Sequence, residues 1–416
     1  MSTVSLISFV VLFLLLLTML KKGTDIFSPA RLFAIVWTLV IGLTELKLSR
    51  HQIKWSMFSW LVLLISLVSV LLGMFIIYVI NYNRPINSIP SIRNTIQKFH
   101  LGSQKLFNLT LGLFVIYIIS YAAIYLIVGF IPLFTAHPNI AREKWSVFGL
   151  GLIVHLAPTI IYLTIFYMLV VKKDLNKKLI LILSSMVAFI TFLFLLQRFD
   201  IVISIVLSVV ALYYGTFKFR ARTIIIVFLM TVILMYTIST IRVNNFFIQY
   251  LYYSAHMKFS AKYAMLTEPY MYVVMNLENF ANAVDKLSVF SYGTFTFDFA
   301  LALSGLKHTL IEYNNVAELP YLVNGNYNTY SMFFVYYRDY GVIGVFVFPL
   351  LVGLVISTLY YKMLRNPNIN TISVYGICTF VILFSFFIPM LSWLHFVLNL
   401  STIYFVTRLV QVKDDS

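Results

Sequence analysis

Cysteine and charge are both scarce in this sequence. The 416-residue chain has one cysteine, Cys378, and only 11% of its residues are charged. A single cysteine excludes a disulfide framework and any metal site built from several thiolates. A soluble domain is about 25% charged and about 45–50% apolar, whereas 61% of this chain is apolar. One water-soluble core cannot hide so much apolar surface, so the composition predicts a protein whose main solvent is lipid.

Long apolar stretches fill most of the chain. A membrane-spanning helix needs about 17–25 apolar residues, and by this measure the sequence predicts an all-α polytopic membrane protein with about 11 spans (10–12). The predicted spans are 4–20, 32–46, 56–80, 106–128, 147–171, 179–196, 201–215, 223–241, 341–361, 371–388 and 392–407.

The basic residues predict the orientation of these spans. When loops are assigned to alternate sides, one side holds 18 of the 30 basic residues and only four of the 14 acidic ones. The positive-inside rule makes that side cytoplasmic, which places the N-terminus outside and the C-terminus inside. It also explains the net charge of +16 without nucleic acid as a partner. Lys47, Arg50 and Lys54 disagree, and a miscounted short helix there would reverse the N-terminal orientation.

A stretch of about 100 residues without a full span divides the chain into three parts. We predict a bundle of about eight helices over 1–241, an extracytoplasmic loop over 242–340, and about three helices with a cytoplasmic tail over 341–416. The loop holds seven of the 14 acidic residues. A loop of this length is usually functional.

This loop contains the pattern of an amphipathic helix. Thr267 can cap it, Pro269 lies in its first turn, and apolar residues recur at helical spacing from Val273 to Val284. The opposite face is polar: Asn276, Asn279, Asn282 and Asp285. The pattern predicts a helix that lies on the outer membrane surface above a cavity.

The absence of several sequence motifs excludes some classes of active site. The sequence has no P-loop and no HExxH pattern. The predicted cytoplasmic loops are short and almost free of carboxylates, which a Mg²⁺-dependent transferase of nucleotide sugars would need. We therefore expect any active site to face outward and to need no metal or other cofactor.

Arginines at the outer ends of helices suggest an anion site. An arginine near hydrocarbon is costly and is retained where it has a partner, and its planar fork binds two phosphate oxygens at once. Simpler roles are open: a snorkelling side chain, or local pairs with Asp200 and Glu143. The predicted diphosphate-binding residues are Arg142, Arg198, Arg242 and Arg338.

A polar, aromatic segment precedes the helix at 341–361. Amide and hydroxyl groups pair with sugar hydroxyls, and aromatic rings stack on sugar faces, so we predict Asn326, Asn328 and Tyr330 as glycan-binding residues. Asn328 could instead form a turn. Asp339, which follows Arg338, could simply stabilise the start of the helix.

Two pieces of this region carry a family resemblance. Asn328-Thr329-Tyr330, a short aromatic run and then Asp339-Tyr340-Gly341-Val342-Ile343-Gly344 resemble the C-terminal signature of bacterial oligosaccharide repeat-unit polymerases, the O-antigen and capsular polymerases of the Wzy type. Asp25-x-x-Ser28-Pro29, Gly129-x-Ile131-Pro132-Leu133 and Arg198 are also similar. The family's Phe is Tyr340 here, and the Arg-x10-Gly motifs of some members are absent.

The resemblance implies a GT-C-like glycosyltransferase of the bacterial cytoplasmic (inner) membrane. Donor and acceptor would be oligosaccharides on undecaprenyl diphosphate, joined en bloc on the outer face without nucleotides, and a chain-length-regulating co-polymerase is a further partner of such enzymes. The candidate catalytic residues are Asp339, Asp298, Glu268 and His256. An O-antigen ligase-like transferase and a lipid-linked oligosaccharide flippase remain the alternatives.

Overall fold

A computed structural model describes residues 2–19, 21, 23–98, 103–171, 174–217, 221–243, 247–313 and 319–411. Across these ranges the regular secondary structure is helical, apart from an isolated bridge between Ser49 and Met257. The α-helices are α1 (Thr3–Met19), α2 (Pro29–Thr44), α3 (Met57–Asn81), α4 (Ile89–Lys98), α5 (Ser103–Val128), α6 (Pro138–Lys144), α7 (Leu150–Val154), α8 (Ala157–Val170), α9 (Leu175–Leu193), α10 (Arg198–Gly215), α11 (Ala221–Val243), α12 (Phe247–Ser254), α13 (Thr267–Lys286), α14 (Asp298–Ser304), α15 (Lys307–Tyr313), α16 (Phe333–Arg365), α17 (Ile369–Phe384) and α18 (Leu394–Val410).

The helices confirm an all-α, multi-pass membrane architecture. Within the described ranges, five stretches are long and apolar enough to cross a bilayer: Met57–Asn81, Ser103–Phe134, Leu150–Val170, Leu175–Leu193 and Phe333–Arg365. Six shorter apolar helices accompany them: Thr3–Met19, Pro29–Thr44, Phe199–Gly215, Ile226–Ile238, Ile369–Phe384 and Leu394–Val410. Each of the eleven predicted apolar stretches overlaps a helix, while the number of spans beyond five stays a prediction.

The chain forms two compact units whose segments alternate along the sequence. The first unit comprises Met1–Pro85, Phe246–Tyr361 and Val381–Val397. The second comprises Ile86–Asn245, Lys362–Phe380 and Leu398–Ser416. The predicted division into bundle, outer loop and C-terminal helices concerns the sides of the membrane and stays a prediction.

Helix α13 lies at the centre of the first unit, where α2 and α3 pack against it. The predicted helix is therefore present and both of its faces are buried, while its predicted position at the outer membrane surface stays a prediction. Asn276, Glu278 and Asn279 are as deeply buried as Leu277 and Phe280. Thr267 also does not cap the helix, because it already lies in the first turn and Leu266 precedes it as the N-cap residue.

Helices α3 and α16 cross in the same unit at two glycines. A Cβ atom at Gly73 would lie 2.3 Å from the carbonyl oxygen of Leu350, and one at Gly353 would lie 2.2 Å from that of Val70. The two backbones therefore touch, as they do at small residues in membrane helix pairs.

A sharp break at Gly341 divides α16. Gly341 has φ +60° and ψ −141°, a backbone conformation that favours glycine. The rings of Tyr336 and Phe348 stack with centroids 5.2 Å apart, although twelve residues of straight helix would separate them by about 18 Å. The long apolar helix therefore starts at the break, as the sequence predicts.

The second unit is built around α5, α8, α9 and α10, which pack on one another. Its core includes the fully buried side chains of Tyr117, Ile160 and Phe192. The stretch predicted as one span over 147–171 is interrupted at His155 and Leu156, between α7 and α8. Ala157-Pro158 follows this interruption, and proline fits the first turn of a new helix.

Candidate functional site

The polar face of α13 holds the segment that precedes α16. The Asn279 side-chain amide donates to the carbonyl oxygens of Tyr327 and Thr329 at 2.7 and 3.0 Å, and its oxygen accepts from the Val323 amide at 2.9 Å. A buried amide is stable only when its hydrogen bonds are made. Asn279 therefore fixes the backbone of this segment at three points.

Two further asparagines of α13 extend this contact. The Asn282 amide donates to the carbonyl oxygen of Tyr321 at 2.6 Å, and Asn276 accepts a hydrogen bond from the Thr329 hydroxyl. We call Asn276, Asn279 and Asn282 the asparagine ladder. Its members follow one another at three-residue spacing, which keeps them along one side of the helix.

The structure places the three predicted glycan-binding residues differently. Asn326 and Asn328 are exposed on the segment held by the asparagine ladder. Tyr330 is buried; its hydroxyl donates to the carbonyl oxygen of Pro320, and its ring stacks on Phe334 with centroids 4.0 Å apart. Burial raises the pKa of the Tyr330 phenol, and the nearby Arg338 charge opposes that rise.

Asp339 anchors a turn formed by residues 291–296. Its carboxylate accepts from the Ser291 hydroxyl, from the Phe295 amide at 3.1 Å and from the Thr296 amide at 2.6 Å. The amide of Ser291 also donates to the carbonyl oxygen of Arg338 at 3.1 Å. Asp339 is fully buried. The carboxylate therefore joins two chain segments rather than capping the helix at 341–361.

Arg338 lies beside this turn and is only 3% exposed. Its guanidinium carbon is 3.4 Å from the centroid of the Phe295 ring and 5.9 Å from that of Phe334. A guanidinium that stacks on an aromatic ring directs its N–H donors within its own plane, parallel to the ring face. This geometry suits it to bind an anion beside the ring. Arg338, Asp339, Tyr330, Phe295 and Phe334 thus belong to one cluster.

Glu278 is a buried carboxylate that the sequence pattern did not single out as functional. It accepts from Lys47 at 2.7 Å, from Gln52 and the Ile53 amide at 3.1 Å, and from the Trp55 indole at 3.0 Å. Burial raises the pKa of its carboxyl, and Lys47 is the main opposing influence. All four donors come from the α2–α3 connection, which packs against α13 through this carboxylate. The basic loop that disagreed with the charge rule is thereby attached to an acidic helix.

The other predicted catalytic residues are spread over the first unit. His256 is exposed, has φ +45°, and its ring centroid lies 5.0 Å from that of His51. Glu268 lies in the first turn of α13 and is 9% exposed. Asp298 starts α14 and forms an ion pair with Lys307 at 2.9 Å.

His256 and one predicted glycan-binding residue share a neighbourhood. The Asn326 side-chain amide lies 3.3 Å from the Ser254 hydroxyl, and the carbonyl oxygen of Ser254 lies 2.8 Å from Nε2 of His51. His51 in turn contacts the His256 ring edge-on. Exposed imidazole and amide groups therefore meet at one edge of the first unit.

Three of the four predicted arginines belong to the second unit. Arg142 lies in α6, where it bonds to Asn139 at 3.0 Å and pairs with Glu143 at 3.5 Å, the local role left open above. Arg198 begins α10 and Arg242 lies near the end of α11, but both side chains lie outside the described residues. A four-arginine diphosphate site stays a prediction.

His155 and Asp200 meet in the second unit. Nδ1 of His155 lies 2.9 Å from Oδ2 of Asp200, whose side chain is almost fully buried. Asn399 donates to the carbonyl oxygen of His155 at 2.7 Å and accepts from the Thr159 hydroxyl at 2.6 Å. His155 lies within the candidate span Leu150–Val170, where ionisable groups are rare and usually functional.

Comparisons with known proteins found no relative: no family model, no curated protein and no solved structure matches the chain.

Proposed function

We propose that the protein polymerises oligosaccharide repeat units carried on undecaprenyl diphosphate, on the outer face of the bacterial cytoplasmic membrane. The proposal includes about 11 spans of GT-C-like architecture, an external N-terminus and a cytoplasmic C-terminus. The product would be an O-antigen or a capsular polysaccharide. Donor and acceptor are both lipid-linked glycans, and no nucleotide takes part.

One observation supports this proposal best: both halves of the polymerase-like signature are anchored in the first unit by buried polar groups. The asparagine ladder holds the half that contains Asn326 and Asn328, and the turn at 291–296 holds the half that contains Asp339. Because the asparagine ladder bonds the backbone of this segment, the side-chain amides of Asn326 and Asn328 stay exposed. A rigid strip of exposed amides suits a glycan, which is bound through many hydroxyl groups.

We assign the proton acceptor to His256. The acceptor hydroxyl attacks the anomeric carbon of the donor, the bond from that carbon to the diphosphate oxygen breaks, and the hydroxyl proton passes to the imidazole. Among the four candidates His256 is the exposed one, and it shares its neighbourhood with Asn326. Imidazole is also the side chain that most often serves as a general base.

Asp339 and Arg338 take other parts in this proposal. The Asp339 carboxylate already accepts three donors in a fully buried position, so we assign it as a positioning residue for the turn at 291–296. We assign Arg338 to the leaving diphosphate, with Arg142, Arg198 and Arg242 as further candidates. Neutralising the charge that develops on the diphosphate stabilises the transition state without a metal ion.

The test is reconstitution of the full chain in liposomes with lipid-linked repeat units and no nucleotide. We expect a ladder of glycans at multiples of the repeat unit, also in the presence of a chelator. His256→Asn should lower the rate at least about a hundredfold, the usual range for a general base. His137→Asn is the matched control, because His137 is also exposed. A ladder that His256→Asn leaves unchanged overturns the base assignment, and a single transfer without a ladder indicates a ligase.

A second candidate function is transport of the lipid-linked glycan across the membrane. The His155–Asp200 pair favours it, because ionisable side chains that meet within apolar helices are typical of proton relays in transporters. In the same liposomes a transporter would move donor into the lumen without joining units. Donor protected from an external glycosidase, with no ladder, would replace the polymerase proposal by this one.

A further inference from the structure

A cavity of about 390 Å³ lies in the first unit where α2 begins and where α3 approaches its end. Its walls come from the first turn of α2, the last turns of α3 and the part of α16 around Ser357 and Tyr360. This volume is within the range of small-molecule sites, which are mostly apolar with a few polar groups. The cavity is far from the candidate glycan site, as the length of α3 shows.

Helix α3 separates the two sites by about a membrane thickness. At its start, the hydroxyl of Ser56 donates to Asp285 of α13 at 2.6 Å. Tyr78, which lines the cavity, follows 22 residues later, and a helix rises about 1.5 Å per residue, which gives about 33 Å. The hydrocarbon core of a bilayer is about 30 Å thick. The cavity therefore lies at the opposite membrane interface from α13.

The cavity faces lipid and carries an interfacial signature. Phe75 and Tyr78 line it and are 57% and 45% exposed, so its α3 wall is open to the side. Tyr360 and Tyr361 line it from α16, and Tyr82 continues the aromatic row past the end of α3. Tyrosines gather at the level of lipid headgroups, where their rings are apolar and their hydroxyls are wet.

Positive charge surrounds this end of the unit. Arg31 lies one residue after the cavity-lining Ala30, and one of its nitrogens donates to the Asp25 carbonyl oxygen at 3.1 Å. The Asp25 carboxylate is engaged by the Tyr360 hydroxyl at 2.9 Å. Lys21 and Arg84 are exposed on the chain before α2 and after α3. The start of α2, which has no side-chain cap bond, adds the positive end of a helix dipole.

We propose that this cavity binds an anionic phospholipid. One acyl chain lies along the open α3 wall beside Phe75, the glycerol region lies among the tyrosines, and the phosphate lies against Arg31 and the first turn of α2. The basic residues place this end on the cytoplasmic side by the positive-inside rule. That is the leaflet where anionic phospholipids attract basic residues near the membrane, and the site is independent of the proposed glycan chemistry.

The experiment is native mass spectrometry of the full chain released from detergent, with phosphatidylglycerol and phosphatidylcholine added at equal concentration. We expect retained phosphatidylglycerol to exceed phosphatidylcholine about tenfold on the wild type. Ala30→Trp should abolish this preference by filling the cavity, and Arg31→Gln should reduce it. The matched controls are Ala122→Trp and Lys105→Gln, exposed residues of α5 outside the cavity.

Each outcome decides the proposal. Equal retention of the two lipids on the wild type overturns it without any variant, so misfolding of Ala30→Trp cannot leave it untested. Unchanged preference in correctly eluting Ala30→Trp also overturns it, because the lipid would then bind elsewhere. Displacement of phosphatidylglycerol by an equal amount of undecaprenyl phosphate would assign the cavity to the polyprenyl carrier instead.

Discussion

Helices α3 and α13 pack against each other, yet they are built on opposite principles. The buried side of α3 includes small residues such as Ser59, Ser66 and Gly73, while Leu64 and Phe75 are more than half exposed. Helix α13 buries almost everything, including Glu278. Helix α3 leaves many large apolar side chains exposed, whereas α13 buries a carboxylate and three amides.

The difference follows from the solvent that each helix meets. Exposed leucines on α3 cost nothing in hydrocarbon, so its inner face is free to use small residues for close backbone contact. Helix α13 is too polar for a span, and its amides are stable in the interior because loops supply their partners. In this protein, hydropathy therefore reports which solvent a helix meets and does not report which residues are buried.

The largest loss of folded protein should come from placing a bulky residue of α16 against the small-residue face of α3. Gly353→Leu would drive a side chain into the Val70 carbonyl, and backbone cannot move aside cheaply. We expect no monodisperse folded protein after detergent extraction, measured by size-exclusion chromatography. Gly112→Leu on α5 is the control, because a Cβ there meets nothing within 4 Å. Equal yields of the two variants would contradict the close crossing.

The second-largest loss of stability should come from removing the buried carboxylate of Glu278 on α13. Glu278→Ala leaves Lys47, Gln52, Ile53 and Trp55 without their shared acceptor. Breaking a buried pair costs about 3–5 kcal/mol, and we expect the lower end because Lys47 is partly exposed and can rehydrate. Denaturant unfolding measures the loss. Glu45→Ala removes the other carboxylate near Lys47 and should cost far less.

Two neighbouring leucines on α3 give a sharper comparison. Leu63 is 1% exposed and Leu64 is 56% exposed. Leu63→Ala should cost about 2–5 kcal/mol, as core truncations do, whereas Leu64→Ala should stay within about 0.5 kcal/mol. Unfolding midpoints of the two variants in the same lipid–detergent mixture measure the difference. A similar loss at both positions would show that Leu64 is covered in the membrane.

The smallest effect should be the share of the alkaline pH dependence of stability that Tyr270 of α13 contributes. Burial raises the pKa of Tyr270 to about 12, so the unfolded chain loses this proton first. The stability that Tyr270 contributes is complete below pH about 10, the usual tyrosine pKa, and is lost as pH rises to about 12. Tyr270→Phe should therefore show a shallower alkaline decline in unfolding free energy. Identical slopes would exclude Tyr270 as a source of that decline.

Hydropathy and periodicity predicted the elements well. Each of the eleven apolar stretches overlaps a helix, because long apolar runs have few other stable forms in lipid, where the backbone must bond to itself. The recurrence of Val273, Leu277 and Phe280 also predicted α13. The sequence did not predict that the polar face of α13 is buried, because an asparagine face looks the same whether water or loop carbonyls bind it.

The candidate site was predicted only in part, for a related reason. Asn279 binds carbonyl oxygens, which every residue has, so no sequence pattern marks its partners. The contact between Glu278 and Lys47 joins residues 231 positions apart. His155 and Asp200 lie 45 positions apart in the sequence, and only packing shows that they meet. Tyr330 looked like a sugar platform because burial of its ring is invisible in sequence.

The contact between Lys47 and Glu278 also imposes a delay during biosynthesis, because it cannot form until Glu278 has been synthesised. A ribosome adds about 5–20 residues per second, so the 231 residues between them take about 12–46 s to synthesise. During that interval the α2–α3 connection, with Trp55 and Gln52, waits beside the membrane without its acceptor. The early helices must therefore insert while the polar groups of the α2–α3 connection still lack their buried acceptor. The nascent chain is most accessible to proteases and membrane chaperones during that interval.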